Sequence, residues 1–465
     1  MGKLFDLGLE LLKTFLAPKD ELKQTDGLSE KNLRAFLEHK GISDFLMYRY
    51  YEELENNMGL YHMADGRMGF IVRVFPTSMN AMGIEDSMYS LIDTLRKAGT
   101  VIHINTFASR NVNHLIRDFK HLHPCNANID NVSILKEMID DTYEFLKSGS
   151  NQSIVNGVDL RIRDFVSTIS VLFPHDTTKD EIISVYNQLQ GNLRKLYPIN
   201  FSGSSLVSLT KEMLNPNKSM QEWEMIYDQH RVMNKQISSV GTSVKTIDGS
   251  GDFLVADEWQ YRTLTTKQFP NEKTIVTSYD FYNLFFDRFG ENIQIPIPCP
   301  FFTSLVIIVG DVELAREKAA NKSRDDMRKV KKLKKDVIDE QPELSGRLKE
   351  SKRNISLIEQ EGQTPFDAMW SITMMENDEA KLKEYSSVIK DRFSTMKNWH
   401  IEEEKFGNIS LFVFLYSLPL QHHKFVEDFI KRFDILFTSN TAAIAPLLGN
   451  ISTNRMLIPY VDSHP

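Results

Sequence analysis

Residues able to do chemistry are sparse here, and their spacing does not assemble a catalytic unit. His114, His121, His123 and Cys125 form the cluster closest to a metal-ligand set. On a helix, His114 and His121 stand two turns apart with Asp118 between them on the same face. Cys125 follows Pro124 and falls off such a helix, and no second cysteine completes a closed structural zinc site. His422 and His423 are adjacent and would diverge on a helix, so a surface role is expected for both groups rather than zinc. Glu402, Glu403 and Glu404, like Asp140 and Asp141, read as solvated acids; paired carboxylates do acid–base work only where their environments separate their pKa values. Gly249-Ser250-Gly251 and Gly203-Ser204-Ser205 lack the lysine and the glycine spacing of a phosphate-cradling loop and read as ordinary turns. No serine or cysteine sits in a nucleophile elbow. Catalytic, cofactor-binding and metal residues are therefore all expected to be none.

Composition narrows the classes further. A chain of 465 residues has room for about three domains. Its net charge of −8 argues against direct nucleic-acid binding, which needs a basic footprint to displace counterions. The two cysteines, Cys125 and Cys299, fit reduced thiols of a cytosolic protein better than a disulfide. The longest apolar runs, Phe301–Val309 and Ile409–Leu420, are too short to span a membrane and read as buried strands. Asp6 and Glu10 interrupt the N-terminal apolar residues, so no secretory signal is expected there. A cytoplasmic protein follows, held at a membrane through a partner if at all.

The elements that would position side chains fall into an α/β (α+β) pattern of several βαβ-type subdomains with mixed sheets and a charged helical arm. Met68–Phe75 is a strand, Met88, Leu91, Ile92, Leu95 and Ala98 mark a helix closed by Gly99, and Val101–Phe107 returns as a strand. After a helical stretch near Ile134–Lys147, a second unit has a strand within Leu160–Phe173. A helix follows through Ile182, Ile183, Tyr186, Leu189, Leu193 and Leu196, then another at Leu206–Leu214. Strands near Phe253–Ala256, Tyr261–Thr266 and Phe301–Val309 come next. In the third unit Phe366, Ala368, Trp370, Ile372 and Met374 alternate as a strand, and Leu382, Tyr385, Ile389, Phe393 and Met396 share a helical face. Ile401–Phe406 and Ile409–Tyr416 read as a hairpin about Gly407-Asn408, and Phe425, Val426, Phe429, Ile430 and Phe433 as a last helix. This plan resembles the first unit, as a distant internal duplication would.

Two segments are candidates for partner binding. Residues 3–16 put Leu4, Leu7 and Leu11 on one helical face, as a self-packing helix or as an anchor for a membrane-protein partner. From Asp311 the chain is dense in charge, with a basic cluster that includes Arg328, Lys331, Lys332 and Lys335. Pro342 and Gly346 divide it into two charged helices, a solvated pair or a partner-binding arm. The expected division is 1–50 (N-terminal helix and linker), 51–310 (α/β region), 311–361 (charged arm) and 362–465 (second α/β subdomain).

Several motifs, in order, resemble one known family. These are Gly59-Leu60-Tyr61 through Gly69-Phe70-Ile71 to Pro76, then Phe107-Ala108-Ser109, then Leu209 to Asn215-Pro216. Ile297-Pro298-Cys299-Pro300-Phe301 and the terminal run Ala443-Ile444-Ala445-Pro446-Leu447-Leu448-Gly449-Asn450 complete the set. Together they are similar to the N-terminal region of the TraC-like ATPases of F-type conjugative type IV secretion systems. That resemblance implies a docking and oligomerisation region followed by a RecA-like motor. It also implies a hexameric assembly peripheral to the inner membrane, with inner-membrane secretion subunits as partners in pilus assembly and DNA transfer. ATP and Mg²⁺ are then expected only of the motor, toward which 362–465 would lead. A free-standing cytoplasmic adaptor without motor activity satisfies the same residues.

Overall fold

The computed structural model describes residues 42–448 apart from 55–56, 77–80, 113–131, 155, 157–158, 217–225, 238–242, 248–249, 257, 270–280, 282–283, 290–292, 397–398 and, but for Glu313, Glu317 and Ser356, residues 312–362. In chain order the first half holds β1 (Tyr48–Glu53), β2 (Gly59–Met63), β3 (Met68–Val74), α1 (Ala81–Thr94), β4 (Val101–Ser109), α2 (Val132–Gly149), β5 (Asp164–Leu172), α3 (Lys179–Asn192), β6 (Ile199–Asn200), α4 (Gly203–Leu214) and α5 (Met233–Ile237). The second half holds β7 (Val244–Thr246), β8 (Phe253–Val255), β9 (Trp259–Gln268), β10 (Phe286–Phe289), β11 (Ile293–Pro296), β12 (Phe301–Val309), β13 (Pro365–Glu376), α6 (Glu379–Thr395), β14 (His400–Glu403), α7 (Gly407–Tyr416), α8 (Lys424–Ile430), β15 (Asp434–Phe437) and α9 (Thr438–Ala443).

Apart from the β10–β11 ribbon, these strands make one sheet in the order β1-β2-β3-β5-β4-β12-β13-β9-β8-β7, with β6 on β3, β14 on β9 and β15 on β13. The α+β class stands, but every described ladder is antiparallel, where mixed sheets were expected. The physical reason is insertion. β3 and β4, joined through α1, run parallel, but β5 lies between them and pairs antiparallel with both. β13 and β14, joined through α6, are separated by β9 in the same way. The similar plan of the first and third units is thus present as two split β-α-β arrangements, and β12 joins them by pairing with both β4 and β13.

Strand alternation sends side chains to two cores. Ile102, Ile104, Ile169, Val171, Leu305, Ile307, Trp370 and Ile372 pack with Met88, Leu91 and Ile92 of α1, Ile182 and Leu189 of α3, and Leu382, Ile389 and Phe393 of α6. The other face buries Val101, Phe107, Phe302, Val306 and Met369 against α4, α5, α7 and α8.

One expected hairpin is corrected. Residues 407–416 form the helix α7, not a return strand, and Gly407-Asn408 opens that helix. Gly407 and Ser410 through Tyr416 are all buried, so both sides of the segment face protein and its apolar run carries no helical stripe. Phe412 packs against Phe45 at 5.8 Å and Phe429 at 5.7 Å, while Phe414 meets Phe253 and Phe302 of the sheet. Gly251 lets the loop before β8 approach β14, since a Cβ there would fall 1.4 Å from the Glu404 carbonyl oxygen.

Candidate functional site

The densest gathering of polar side chains lies inside the molecule, where the sheet receives the C-terminus of α7. Thr168, Asn105, Ser304, Ser371 and Thr265 stand opposite one another across β5, β4, β12, β13 and β9, and all are buried. Such a polar row across a core costs free energy unless each group finds a partner. A helix ending supplies partners, because its last carbonyls have no intrahelical donors.

Asn105 Nδ2 donates to the Ser417 carbonyl at 3.3 Å and Ser304 Oγ donates to the same oxygen at 3.2 Å. The Ser371 and Ser417 hydroxyls lie 3.1 Å apart. One register step away, His103 Nε2 meets the Tyr416 carbonyl at 3.2 Å, which places a ring proton on Nε2. Burial pushes His103 down to about 3, so the ring is neutral at physiological pH. Leu420 turns the chain through a left-handed φ of 60°, and its N–H donates to Ser170 Oγ at 3.1 Å. From β1 and the residue before it, the Tyr48 hydroxyl donates to the Pro419 carbonyl at 2.6 Å, and the Met47 N–H donates to Gln421 Oε1 at 3.0 Å.

The seam continues into a charged relay. Arg67 is fixed by Asp65 at 2.6 Å and donates to His422 twice, to Nδ1 at 2.9 Å and to the carbonyl at 2.8 Å. Because a guanidinium only donates, His422 Nδ1 accepts, which leaves Nε2 to donate to Glu427 Oε2 at 3.2 Å. Burial opposes ionisation of Glu427, but the hydrogen bonds from His422 and Lys424 outweigh it and hold the carboxyl below the usual range. His423 packs on Phe45 at 4.5 Å, and burial pushes it to about 3.

A second polar cluster closes the far end of the central strands. Glu212 accepts from Ser109, and burial raises its carboxyl to about 7 despite Ser109 and Arg110 beside it. Arg110 stacks on Trp259 at 4.1 Å and donates to the Pro216 carbonyl. Arg163, fully buried, donates to the carbonyls of Ser150 at 2.6 Å, Ile162 at 2.9 Å, and Pro298. Burial lowers it to about 9, which still leaves it charged at neutral pH. In both clusters several of the donors hold backbone carbonyls, an arrangement that fixes chain segments.

Three expectations about the sequence-derived sites are corrected. His422 and His423, expected at the surface, are buried at 8 % and 1 % exposure and precede α8 instead of lying on it. Of the glutamate run, Glu402 is exposed, but Glu404 is buried and paired bidentately with Arg432 at 2.8 and 2.9 Å. Gly203-Ser204-Ser205 is the first turn of α4, capped by Ser202, and not a free turn. Cys299 is a free buried thiol, pushed up to about 12 by burial. Leu4, Leu7, Leu11, Arg328, Lys331, Lys332 and Lys335 lie outside the described residues, as do His114, His121, His123 and Cys125. Among the described residues, no group of three or more His, Cys, Asp or Glu is placed to hold a metal, and no helix is long and apolar enough to cross a membrane. Sequence reading missed Arg67, His103 and Asn105. Its one available signal was the pair of polar residues at alternate positions in the apolar strand Val101–Ser109.

A family model described as TraC protein, of the F-type type IV class, matches residues 42–422. That match covers well over half of the 465 residues, and the chain belongs to this family. Its role therefore lies in conjugative type IV secretion. Comparison with curated proteins finds no match.

Proposed function

We propose that this chain is the docking and oligomerisation region of a conjugative secretion ATPase. It acts by holding a motor in register against inner-membrane secretion subunits during pilus assembly and DNA transfer. The observation that carries this reading is the seam under α7. Polar side chains of β4, β5, β12 and β13 hold residues 416–420 at the end of α7, and β12 joins the two split β-α-β arrangements in one sheet. A rigid body with its chemistry turned inward transmits position, and its outer surfaces are what partners meet. On this reading the protein is cytoplasmic and peripheral at the inner membrane, it self-associates, and ATP and Mg²⁺ belong to a motor domain. Residues 3–16, with Leu4, Leu7 and Leu11, are the proposed membrane-partner contact.

The test is capture of secretion subunits from detergent-solubilised inner membrane by the intact chain and by a form lacking residues 1–18. Loss of capture on deletion assigns docking to that segment, and equal capture moves it to the α/β body. No capture by either form refutes the docking reading.

A further inference from the structure

Past α9 the chain gives up regular structure and runs through the interior of the molecule. Ile444, Ala445, Leu447 and Leu448 are all buried, in the same core as α1, α3 and the apolar faces of β4 and β5. From Ala445 to Leu448 the backbone is neither helix nor strand, so no ladder holds it. Two hydroxyls hold it instead. Thr106 Oγ1 donates to the Pro446 carbonyl at 2.5 Å and accepts from the Leu448 N–H at 3.3 Å. Ser167 Oγ donates to the Leu448 carbonyl at 2.7 Å, and the Leu447 N–H turns back onto the Ala445 carbonyl at 2.8 Å.

Thr106 and Ser167 stand opposite each other in the β4–β5 ladder, and their hydroxyl oxygens lie 2.6 Å apart. Each hydroxyl carries one proton. Two protons therefore serve three contacts, namely the two carbonyls of the segment and the bond between the hydroxyls themselves. With the segment seated, both protons are drawn to its carbonyls. With it gone, one hydroxyl donates to the other and the pair stays bonded. Buried polar groups that lose their partners ordinarily cost free energy, and this pair spares the sheet most of that cost. Purely apolar side chains would simply have continued the core, as Ile104 and Ile169, the next pair on that face, do. The segment thus rests on a landing that is bonded whether or not it is occupied.

We propose that residues 444–448 are a releasable strap, seated across β4 and β5 or freed from them while the sheet stays folded. Its four buried apolar side chains keep the seated form dominant. Freed, its five residues extend to about 17 Å at ~3.4 Å each. Release therefore gives the chain that follows α9 up to that much additional reach, and seating takes it back. Such a switch of tether length works whether or not the body docks at a membrane, so its failure and that of the docking reading are separate outcomes.

The experiment is native-state thiol labelling of the intact chain carrying Leu448→Cys and Cys125→Ser. Cys299, fully buried, is the internal reference. Labelling rates at both positions are followed against urea below the unfolding transition. Position 448 should label at least about tenfold faster than Cys299, with a shallower urea dependence, because local opening exposes little surface. Adding Thr106→Val/Ser167→Ala orphans the carbonyls of the seated strap and should speed labelling at 448 by about a further tenfold. Hydrogen exchange of the unsubstituted chain checks the same opening without a cysteine in the core: peptides covering 444–448 should exchange well ahead of those from β4 and β5, again with shallow urea dependence. Equal rates and slopes at 448 and Cys299, with exchange of 444–448 no faster than that of β4, overturn the strap. Labelling at 448 that ignores the loss of both hydroxyls overturns their role as its landing.

Discussion

The carbonyl of Ser417 receives donors from two different strands, Asn105 Nδ2 and Ser304 Oγ. Either one keeps this buried acceptor satisfied, so the two residues should be strongly coupled. Asn105→Leu removes one donor and also an Oδ1 that has no hydrogen-bond partner, so its cost should be small. Ser304→Ala loses one neutral hydrogen bond, about 0.5–1.5 kcal/mol. The double variant leaves the carbonyl with neither donor and adds the desolvation cost of an orphaned acceptor. It should therefore exceed the sum of the singles by about 1–2 kcal/mol. Hydrogen exchange of peptides spanning 407–421, measured in the four proteins of the cycle, reads this locally. The double variant should exchange about 5–30-fold faster there than the product of the single effects. Peptides from α1, on the opposite face, should change much less. Strict additivity, or equal acceleration in α1 and α7, would refute the view that the sheet's polar row exists to hold the end of α7.

Three further outcomes are expected. Glu212, raised to about 7 by burial, binds a proton in the folded state that the unfolded chain releases above its ordinary carboxylate range. Its stabilising contribution is full at acid pH and is lost as pH rises through about 7. Urea titrations of Glu212→Gln should accordingly show a flatter pH dependence between about 4.5 and 7 and greater stability than the parent above it. His103 and His423, both pushed down to about 3, act in the opposite sense. Stability present above the ordinary histidine value is lost as pH falls from about 6.5 toward 3, and His103→Gln should blunt the loss of near-ultraviolet circular dichroism over that window. Gly251→Ala must push the β14 backbone away from the loop before β8, at a cost of about 1–3 kcal/mol or more, seen as a lower thermal midpoint.

What was legible in the sequence is what local pattern determines. The alternation Phe366, Ala368, Trp370, Ile372, Met374 names one face of β13, and all five are buried in the same core. The spacing of Leu382, Tyr385, Ile389 and Phe393 likewise gives the inner face of α6. Pattern fails where a segment is buried on every side. In α7 neither helix nor strand periodicity survives, and Gly407-Asn408 then suggested a hairpin turn. Insertion of β5 and β9 is equally invisible locally, since a strand-helix-strand spacing is the same whether or not another strand lies between. The seam was missed because its partners are remote: Arg67 and His422 are 355 positions apart, and Met47 and Gln421 are 374 apart. A histidine pair beside a helix shows nothing in sequence of the arginine that will bury it.

The bounds of the family match acquire a physical meaning from those same contacts. The matched region opens at Ile42 and closes at His422. Met47 and Tyr48 near its beginning bond to Gln421 and Pro419 near its end, and Phe45 packs on His423 just past it. These end-to-end contacts are buried and include two hydrogen bonds, one of them from the backbone of Met47, so they lock register as well as burying area. Beyond the match the chain returns to the same sheet, with β15 pairing with β13 and the Leu448 carbonyl accepting from Ser167 Oγ. The contacts beneath α7 thus hold the beginning of the matched region against its end.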